Sequence, residues 1–479
     1  MFYRKIHDSK FHYILIFILS LSLSTPIFAS ANQMFTGFES VVTLSLIFLV
    51  IYLVISLIGL RYIDASTHCT DHHFRPWLLT ILLIGAFLMR LILAINYKGH
   101  PTDMACWGGW ALGMANYGPS SFYESVVFAD YPPGYMLILW PIGILLKSIE
   151  LLPTSILYSI ILKLPIFFFD LLAGGLIYWY ACKKQFKFPL LLTGLFLFNP
   201  AVIFDSAIWG QVDIILSFFV IVMIIAFYEK NLLWASLAFV GGLLIKPQMF
   251  LFGPVFIIGY FYYCNGRTIK DIIRSTLISS SIGLLCFLVV CFPFLLTKSD
   301  PFWIVQLYFS TMGSYPYASV NAINLMSLIN GLWVSDAQVF LGVSYKLLGA
   351  IGIFLSLVYT FYLAYKDKSK ANFALYGALM ILGIFTLGHH MHERYIFPAL
   401  ICLFIAYLYV PKKTTFFFLV YFSILQTLNM SLVLRATYLY SNMPFVFVLS
   451  LLQVLGYIAF CIYAYQISLD GFKPISNTH

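Results

Sequence analysis

The chain consists of long apolar runs separated by short polar segments. The runs are about 20 residues long, which is the length of a helix that crosses the hydrocarbon core of a bilayer. They do not alternate with the period of two that membrane β-strands show. Backbone polar groups in lipid must be satisfied internally, which favours helices. The pattern predicts fourteen helices with both chain ends cytoplasmic, at residues 11–29, 40–60, 77–96, 157–182, 188–206, 212–228, 231–246, 249–264, 274–297, 343–365, 372–388, 394–410, 414–434 and 444–466.

One further apolar run, residues 134–149, is predicted to lie in an external loop. If it crossed the membrane, the basic cluster from Lys183 to Lys187 would face outside, against the positive-inside rule. Pro141 and Lys147 within the run favour a helix that lies along or dips into the membrane. Two long external segments follow from this choice, at about residues 97–156 and 298–342.

Composition and charge fit a multi-pass membrane protein. Hydrophobic residues make up 62% of the 479 residues and charged residues only 9%, whereas soluble domains carry about 25% charged residues. The net charge of +9 comes from Lys and Arg in short loops that are predicted to be cytoplasmic, so no nucleic-acid partner is expected. The eight cysteines are scattered, and no disulfide framework is predicted.

The N-terminus allows two interpretations. Arg4 and Lys5 precede an apolar run that ends in Ala29-Ser30-Ala31, a pattern that signal peptidase could cleave. An uncleaved first helix is favoured, with a signal sequence at 1–31 as the alternative. No internal repeat or low-complexity linker divides the chain, which is treated as one domain with N-terminal helices at 1–76, a central module at 77–410 and C-terminal helices at 411–479.

Asp103 opens the first external segment, just past a helix that carries Arg90. A carboxylate near the lipid boundary is costly unless it is solvated or paired. In a water-filled cleft it could act as a general base on a hydroxyl; an ordinary loop aspartate is the alternative. Trp107 and Trp110 are consistent with either an interfacial aromatic belt or a platform for sugar stacking.

A rigid turn follows in the same segment. Asp130, Tyr131, Pro132 and Pro133 precede Gly134, and two prolines fix an extended backbone while glycine allows a close approach. These residues are predicted to shape a substrate cleft. A simple break before the next helix is the alternative, with Asp130 as its cap.

Two hairpins place further polar residues at external helix ends. Trp209, Gln211 and Asp213 belong to a hairpin that joins two predicted helices. Asp205 and Asp213, if close together, could bind a cation, or each could be solvated. Lys246 and Gln248 flank a proline between two other helices. Lys246 is the only charge in its neighbourhood along the sequence, so it could attract an anion or extend its amine to water.

The densest polar cluster is His389, His390, His392, Glu393 and Arg394, at a predicted external helix end. His389 and His392 have a spacing that could hold a metal ion. Arg394 could bind a phosphate, because its planar guanidinium pairs well with phosphate oxygens. Phosphate is favoured over metal, and no metal or cofactor is assigned.

Together these motifs resemble the GT-C superfamily of glycosyltransferases that use sugars linked to polyprenyl phosphate. The nearest similarity is to bacterial Gpi18-like, mannosyltransferase-related membrane proteins. The motifs follow the order of the family between about residues 80 and 410. They are T-D-M-A-C-W at 102–107, D-Y-P-P-G-Y at 130–135, N-P-A-V-I-F-D-S-A-I-W-G-Q-V-D at 199–213, L-I-K-P-Q at 244–248 and H-H-M-H-E-R-Y at 389–395.

The resemblance implies a fold and an activity. The fold would be a GT-C module, at 77–410, with a long first external loop that bears juxtamembrane helices. Asp103 would be the general base, and Lys246, His392 and Arg394 would lie near the donor phosphate. The enzyme would move a hexose, mannose or glucose, from a polyprenyl-phosphate donor to a glycan, lipid or protein acceptor, with inversion. It would lie in a bacterial cell membrane with its active site outside.

Three other functions stay open. A transporter or flippase of lipid-linked saccharides would use charges at mid-membrane, for which Arg90, Lys163 and Asp170 are candidates. A polymerase or ligase of surface polysaccharides would also use external arginines. A non-catalytic membrane scaffold is the third. The aspartate of the first loop and the double-proline turn favour the glycosyltransferase.

Overall fold

The computed structural model describes residues 40–62, 75–297, 300, 302–312, 315–367, 372–436 and 444–470. Over these residues the chain is almost entirely helical, and its strands have two residues each. The prediction of an all-α protein with many apolar helices is therefore confirmed. The predicted first helix at 11–29, and with it the question of signal cleavage, lies outside the described residues.

The α-helices of the described residues are numbered here in chain order. They are α1 (Val41–Tyr62), α2 (Pro76–Asn96), α3 (Pro101–Ser125), α4 (Pro133–Ser148), α5 (Ile156–Lys183), α6 (Pro189–Leu197), α7 (Pro200–Ile203), α8 (Asp213–Tyr228), α9 (Leu232–Ile245), α10 (Gly253–Cys264), α11 (Ile269–Leu295), α12 (Trp303–Met312), α13 (Leu325–Leu328), α14 (Tyr345–Lys366), α15 (Phe373–Leu387), α16 (Phe397–Tyr409), α17 (Lys413–Ala436) and α18 (Pro444–Asp470). A π-helical segment (Phe204–Trp209) follows α7, and a 3-10 helix (Pro247–Phe252) follows α9.

Four short strands lie in or next to the second external segment. They are β1 (Ser319–Val320), β2 (Val339–Phe340), β3 (Val343–Ser344) and β4 (Met391–His392). β2 and β3 form an antiparallel hairpin. β1 pairs in parallel with β4, with Ser319 opposite Met391 and Val320 opposite His392. The segment predicted to be external is thereby attached to the histidine-rich segment that precedes α16.

Seven of the described helices are long and apolar enough to cross a membrane: α1, α2, α5, α11, α14, α17 and α18. An eighth crossing is added if α6 and the helical segment Pro200–Trp209, bent by 44° from it, form one broken span. The predicted count of fourteen is not reproduced, because α8, α9, α10, α15 and α16 have only 12 to 16 residues. Lys246 and Pro247 end α9, since a proline removes a helix donor and restricts the residue before it.

The apolar run at 134–149 forms α4, a helix of 16 residues that is too short to count among the candidate spans. α4 packs against α3 at Gly143. A Cβ atom at Gly143 would lie 1.8 Å from the carbonyl oxygen of Ala111, so only glycine allows this contact. The close packing of α4 on α3 places the turn before α4 beside the start of α3, where Asp103 lies.

Ion pairs lie at both ends of the same helices. α8 begins at Asp213, which pairs with Lys246, and ends beside Glu229. The Glu229 carboxylate lies 2.5 Å from the amine of Lys183 and 3.5 Å from that of Lys184. Lys183 and Lys184, which are predicted to be cytoplasmic, therefore lie at the end of α8 opposite Asp213. Which end faces the outside of a cell stays a prediction.

The charges that favoured a transporter are fully buried within the helix bundle. Arg90 Nε donates to Asp170 Oδ2 at 2.6 Å, and Arg90 also donates to the carbonyl oxygens of Ala86 and Leu197. The Lys163 amine donates to two backbone carbonyl oxygens at 2.7 Å each. These three side chains are 0% exposed and join neighbouring helices. Their contacts are those of buried polar groups that hold a bundle together.

Candidate functional site

A cleft of about 340 Å³ lies between the start of α3, the turn before α4, the 3-10 helix and the segment that precedes α16. It gathers polar residues that are far apart in the sequence. Among the predicted site residues, those that line it are Asp103, Trp107, Asp130, Tyr131, Gln211, Lys246, Gln248, His389, His390, His392 and Arg394. The predicted residues outside this lining are Pro132, Pro133, Trp209, Asp213 and Glu393.

Asp103 lies in the first turn of α3, where Pro101 begins the helix and a negative charge is favoured by the helix dipole. Its Oδ2 atom accepts a hydrogen bond from the Trp209 indole at 2.5 Å and lies 3.5 Å from His100 Nδ1 and 3.6 Å from Arg394 Nη1. The Asp103 side chain is 20% exposed, so the carboxylate reaches the cleft.

The electrostatic surroundings of Asp103 keep it ionised. Burial by itself would raise its pKa, but Arg394, His100 and hydrogen bonds from Trp209 and Gln211 lower the pKa to about 2. Burial lowers the pKa of His100, with Asp103 acting in the opposite direction. Asp103 is therefore an anion across the physiological pH range.

The helical segment Pro200–Trp209 and the turn that follows it hold Asp103 in place. The π-helical part of this segment ends at Trp209, and Gly210 then turns the chain with a φ of 85°. The Trp209 carbonyl oxygen accepts from the His100 backbone amide at 2.8 Å, and the Gly210 carbonyl oxygen accepts from the Trp107 indole at 2.9 Å. The His100 and Trp209 rings stack with centroids 4.8 Å apart. Single π-helical turns of this kind are frequent at functional sites.

Lys246 is not the isolated charge that its sequence neighbourhood indicates. Its amine forms an ion pair with Asp213, which lies 33 residues earlier in the chain. Both side chains are almost completely buried, at 4% exposure for Lys246 and 2% for Asp213. The α8–α9 hairpin brings the two together, and Lys246 also lies 5.5 Å from the Tyr131 ring centroid.

Arg394 is the centre of the charge network. Its Nη1 atom donates to Glu393 at 2.6 Å, its Nε atom lies 3.7 Å from Asp213 Oδ2, and its guanidinium lies 4.6 Å from the Trp209 ring centroid. Burial would lower the Arg394 pKa, but Glu393, Asp103 and Asp213 raise it. Arg394 thus holds three carboxylates of different chain segments in one cluster.

Carboxylates outnumber cations in this network, so the cleft is not a simple basic pocket. Burial raises the pKa of Glu393 and that of Asp130, the latter to about 6, with Arg394 and Lys246 respectively opposing the rise. Among the residues that line the cleft, Arg394 and Gln248 each have a buried N–H donor, Nε and Nε2 respectively, without a hydrogen-bond acceptor. Since buried donors are normally satisfied, these two are available to the oxygens of a ligand.

Aromatic residues form the wall beside Asp130. Trp107 is 2% exposed and makes edge contacts with Tyr131 and Tyr135, with ring centroids 5.2 Å apart in both cases, so the interfacial-belt interpretation of Trp107 is wrong. The Asp130 carbonyl oxygen accepts from Thr311 at 3.0 Å. Asp130 does not cap α4, whose N-cap is Pro132 and lacks a side-chain hydrogen bond. Its carboxyl group is consequently left to face the cleft.

The histidine-rich segment is not helical, which separates its members. His392 belongs to β4, and its ring lies 4.8 Å from that of Tyr315 and 5.0 Å from that of Tyr395. Burial lowers the His392 pKa to about 3, so its ring is neutral. His389 and His390 instead form a group with Asp336 that could hold a metal ion. The predicted pairing of His389 with His392 required helical spacing, and the metal-binding group contains other residues.

Three residues of the site were missed by sequence reasoning. His100 precedes Asp103 by three residues at a helix start, a spacing that could have identified it. Tyr315 lines the cleft and contacts His392, and Asp336 contacts His390 at 2.9 Å. Both lie in the second external segment, whose sequence gives no sign of which side chains return to the cleft.

No protein-family model matches the chain. No curated protein is detectably similar to it in sequence either. The resemblance to GT-C glycosyltransferases therefore rests on the motifs and stays a hypothesis.

Proposed function

We propose that the protein is a GT-C-type membrane glycosyltransferase that moves a hexose from a polyprenyl-phosphate donor to an acceptor hydroxyl on the external face of the membrane. The observation that supports this most directly is the meeting of Asp103, Arg394 and Lys246 around one cleft. An ionised carboxylate and two cations are the groups that proton removal and a phosphate leaving group require. No cofactor is assigned to the reaction.

The phosphate of the donor would bind on the Arg394 side of the cleft. Arg394 Nε and Gln248 Nε2 are buried donors without acceptors, and Lys246 lies in the same lining. The guanidinium already neutralises Glu393 and Asp213, so a phosphate has to compete with them for Arg394. A protonated Glu393, whose pKa is raised chiefly by burial, would relieve that competition.

The polyprenyl chain would occupy an apolar groove that adjoins the cleft. The groove has a volume of about 500 Å³ and lies between α9, the 3-10 helix, α11 and α12. Phe250 lines both the groove and the cleft, so the two are adjacent. The other groove residues are Leu243, Phe287, Ile304, Val305, Tyr308 and Phe309. Such a surface accepts an isoprenoid chain because it buries apolar area without leaving a polar group unsatisfied.

Asp103 would accept the proton of the acceptor hydroxyl as its oxygen attacks the anomeric carbon. The new glycosidic C–O bond forms while the bond from the anomeric carbon to the phosphate oxygen breaks, and the phosphate leaves with the electron pair. One displacement inverts the anomeric configuration. A pKa near 2 makes Asp103 a weak base, and Arg394 is the strongest of the neighbours that lower this pKa. Pairing of Arg394 with the donor phosphate would raise the Asp103 pKa and strengthen the base.

The test is transfer by the purified full-length protein in proteoliposomes with a panel of polyprenyl-phosphate sugars. Release of polyprenyl phosphate and formation of glycosylated acceptor are both measured. Asp103→Asn is expected to lower the rate by about 10²–10⁴-fold, the range for loss of a general base. Glu124→Gln, which removes an exposed carboxylate from the same helix, is the matched control and should retain the rate. Transfer by Asp103→Asn at the control rate would exclude Asp103 as the base.

The same experiment separates the competing functions. A flippase would move a lipid-linked saccharide across the proteoliposome membrane without consuming it. A polymerase or ligase would release polyprenyl diphosphate from a saccharide linked through diphosphate. A scaffold would give neither product. Consumption of none of the monophosphate donors, with expression and folding intact, would contradict the transferase proposal.

A further inference from the structure

One carboxylate and two imidazoles converge beside the cleft, apart from the Arg394 network. Asp336 comes from the segment between α13 and β2, and His389 and His390 follow α15. One ligand atom of each lies within 4.8 Å of those of the others. His390 Nε2 lies 2.9 Å from Asp336 Oδ2, and the rings of His389 and His390 have centroids 4.2 Å apart. Only the fold brings these residues together, since more than 50 positions separate Asp336 from the histidines.

The backbone is shaped to bring two neighbouring side chains to one point. In an extended chain the side chains of adjacent residues point to opposite sides. His390 instead has a φ of 59°, a left-handed conformation that residues other than glycine rarely adopt. This conformation is held by a hydrogen bond of 3.2 Å from the His390 amide to the Tyr317 carbonyl oxygen. Strain of this kind costs about 1–3 kcal/mol and clusters at ligand sites.

Of the three side chains, that of Asp336 is buried and those of His389 and His390 are partly exposed. Asp336 is 7% exposed. His389 Nδ1 is buried and has no hydrogen-bond partner among the described residues. The His389 ring is pressed against α14, where a Cβ atom at Gly349 would lie 2.5 Å from Nδ1. A hydrogen bond joins His390 to Asp336, but none explains why the His389 ring is packed beside this pair.

We propose that Asp336, His389 and His390 form a binding site for a zinc(II) ion. Zinc(II) binds histidine nitrogens at about 2.0–2.1 Å and carboxylate oxygens at about 2.0–2.2 Å, usually in a tetrahedron. Ligand atoms at these bond lengths stand about 3.3 Å apart. Because the three ligand atoms lie within 4.8 Å of one another, small side-chain rotations would bring them around the ion. Magnesium and calcium ions prefer all-oxygen ligands and fit this set poorly. Three protein ligands leave the fourth position to water.

The ion would join two parts of the cleft wall. Asp336 lies in the external segment that begins near Tyr315, whereas the histidines precede β4 and Arg394. β1 and β4 already join these two parts through two residue pairs, and metal coordination by Asp336 and the histidines would join them a second time. Its expected role is to position His392 and Arg394, and the site stands whether or not the protein transfers sugars.

Cobalt(II) is the probe, because a tetrahedral cobalt site absorbs visible light and is readily displaced by zinc(II). The full-length protein, purified in detergent and freed of metal with a chelator, is expected to bind one cobalt(II) ion per chain at this site and to release it to zinc(II). Asp336→Asn and His390→Gln should each remove the absorption band. Zinc(II) should also raise the thermal unfolding temperature of the parent protein and not that of either variant.

A second histidine-rich stretch in the sequence provides the matched control. His68, His72 and His73 fall within six consecutive positions of the sequence, outside the described residues, and could bind metal on their own. The double substitution His72→Gln and His73→Gln should leave the cobalt band intact. The proposal is overturned by the absence of a band in the parent protein, by a full band in a monodisperse His390→Gln protein, or by loss of the band in the control. If His390→Gln does not fold, His389→Gln replaces it.

Discussion

Replacement of Asp130 by asparagine is expected to make the folded protein more stable at neutral pH. Burial raises the Asp130 pKa from 3.8 to about 6, partly opposed by Lys246 and reinforced by Asp103. In the unfolded chain the carboxyl group titrates at its ordinary value. The fold therefore favours the protonated form of Asp130 and opposes its ionisation, whereas asparagine has a similar shape and no charge to form.

The direction and size of the effect follow from proton linkage. Well below the ordinary pKa of 3.8, Asp130 is protonated in both states and contributes no difference. As pH rises, the unfolded state loses the proton first, so stability falls until the folded pKa of about 6 is passed. The difference between the two pKa values corresponds to roughly 3 kcal/mol, at 1.36 kcal/mol per pH unit. Partial solvent contact of Asp130 makes this an upper value.

Thermal unfolding of the detergent-purified proteins, followed by tryptophan fluorescence from about pH 4 to pH 8, measures the effect. The advantage of Asp130→Asn should be smallest at the acid end, near the ordinary pKa of 3.8, and grow to its full size above pH 6. Asp103→Asn is the control of opposite sign. Because Arg394 and His100 hold the Asp103 pKa near 2 against the effect of burial, ionised Asp103 stabilises the fold, and its loss should cost stability at every pH in this range.

A pH-independent difference between Asp130→Asn and the parent protein would refute the reasoning, as would a destabilised variant at pH 8. Asp130 also lines the cleft. A stabilised Asp130→Asn protein that transfers sugar more slowly would identify Asp130 as a residue kept for binding at the expense of stability, a common relation at functional sites.

Two further predictions concern the donor. Arg394→Lys keeps the charge but loses the planar guanidinium that reaches Glu393, Asp103 and the Trp209 ring. The rate of sugar transfer in proteoliposomes should fall by about 10²-fold. An unchanged rate would contradict a phosphate-binding role for Arg394. Val305→Trp should fill the apolar groove and raise KM for long-chain donors more than for short-chain ones. Equal effects on both donors would place the polyprenyl chain elsewhere.

Local sequence patterns determined the helices and several details of the site. Apolar runs gave helix positions within a few residues, as in α2 and α18, because an apolar segment in lipid has to satisfy its backbone internally. The combination of Pro101 and Asp103 places an acidic residue in the first turn of a helix, as found in α3. Lys246 before Pro247 marked the end of α9 for the same local reason.

Only the tertiary structure decided how the parts combine. The apolar runs of α8 and α16 do not show that these helices are covered by other helices, since a buried helix and a lipid-facing helix have similar compositions. The pairing of Lys246 with Asp213 and of His390 with Asp336 depends on which helix and loop ends pack together. Sequence therefore determined that polar residues gather at one end of a membrane protein. Packing over long sequence separations determined which of them touch, and hence what chemistry the cleft can perform.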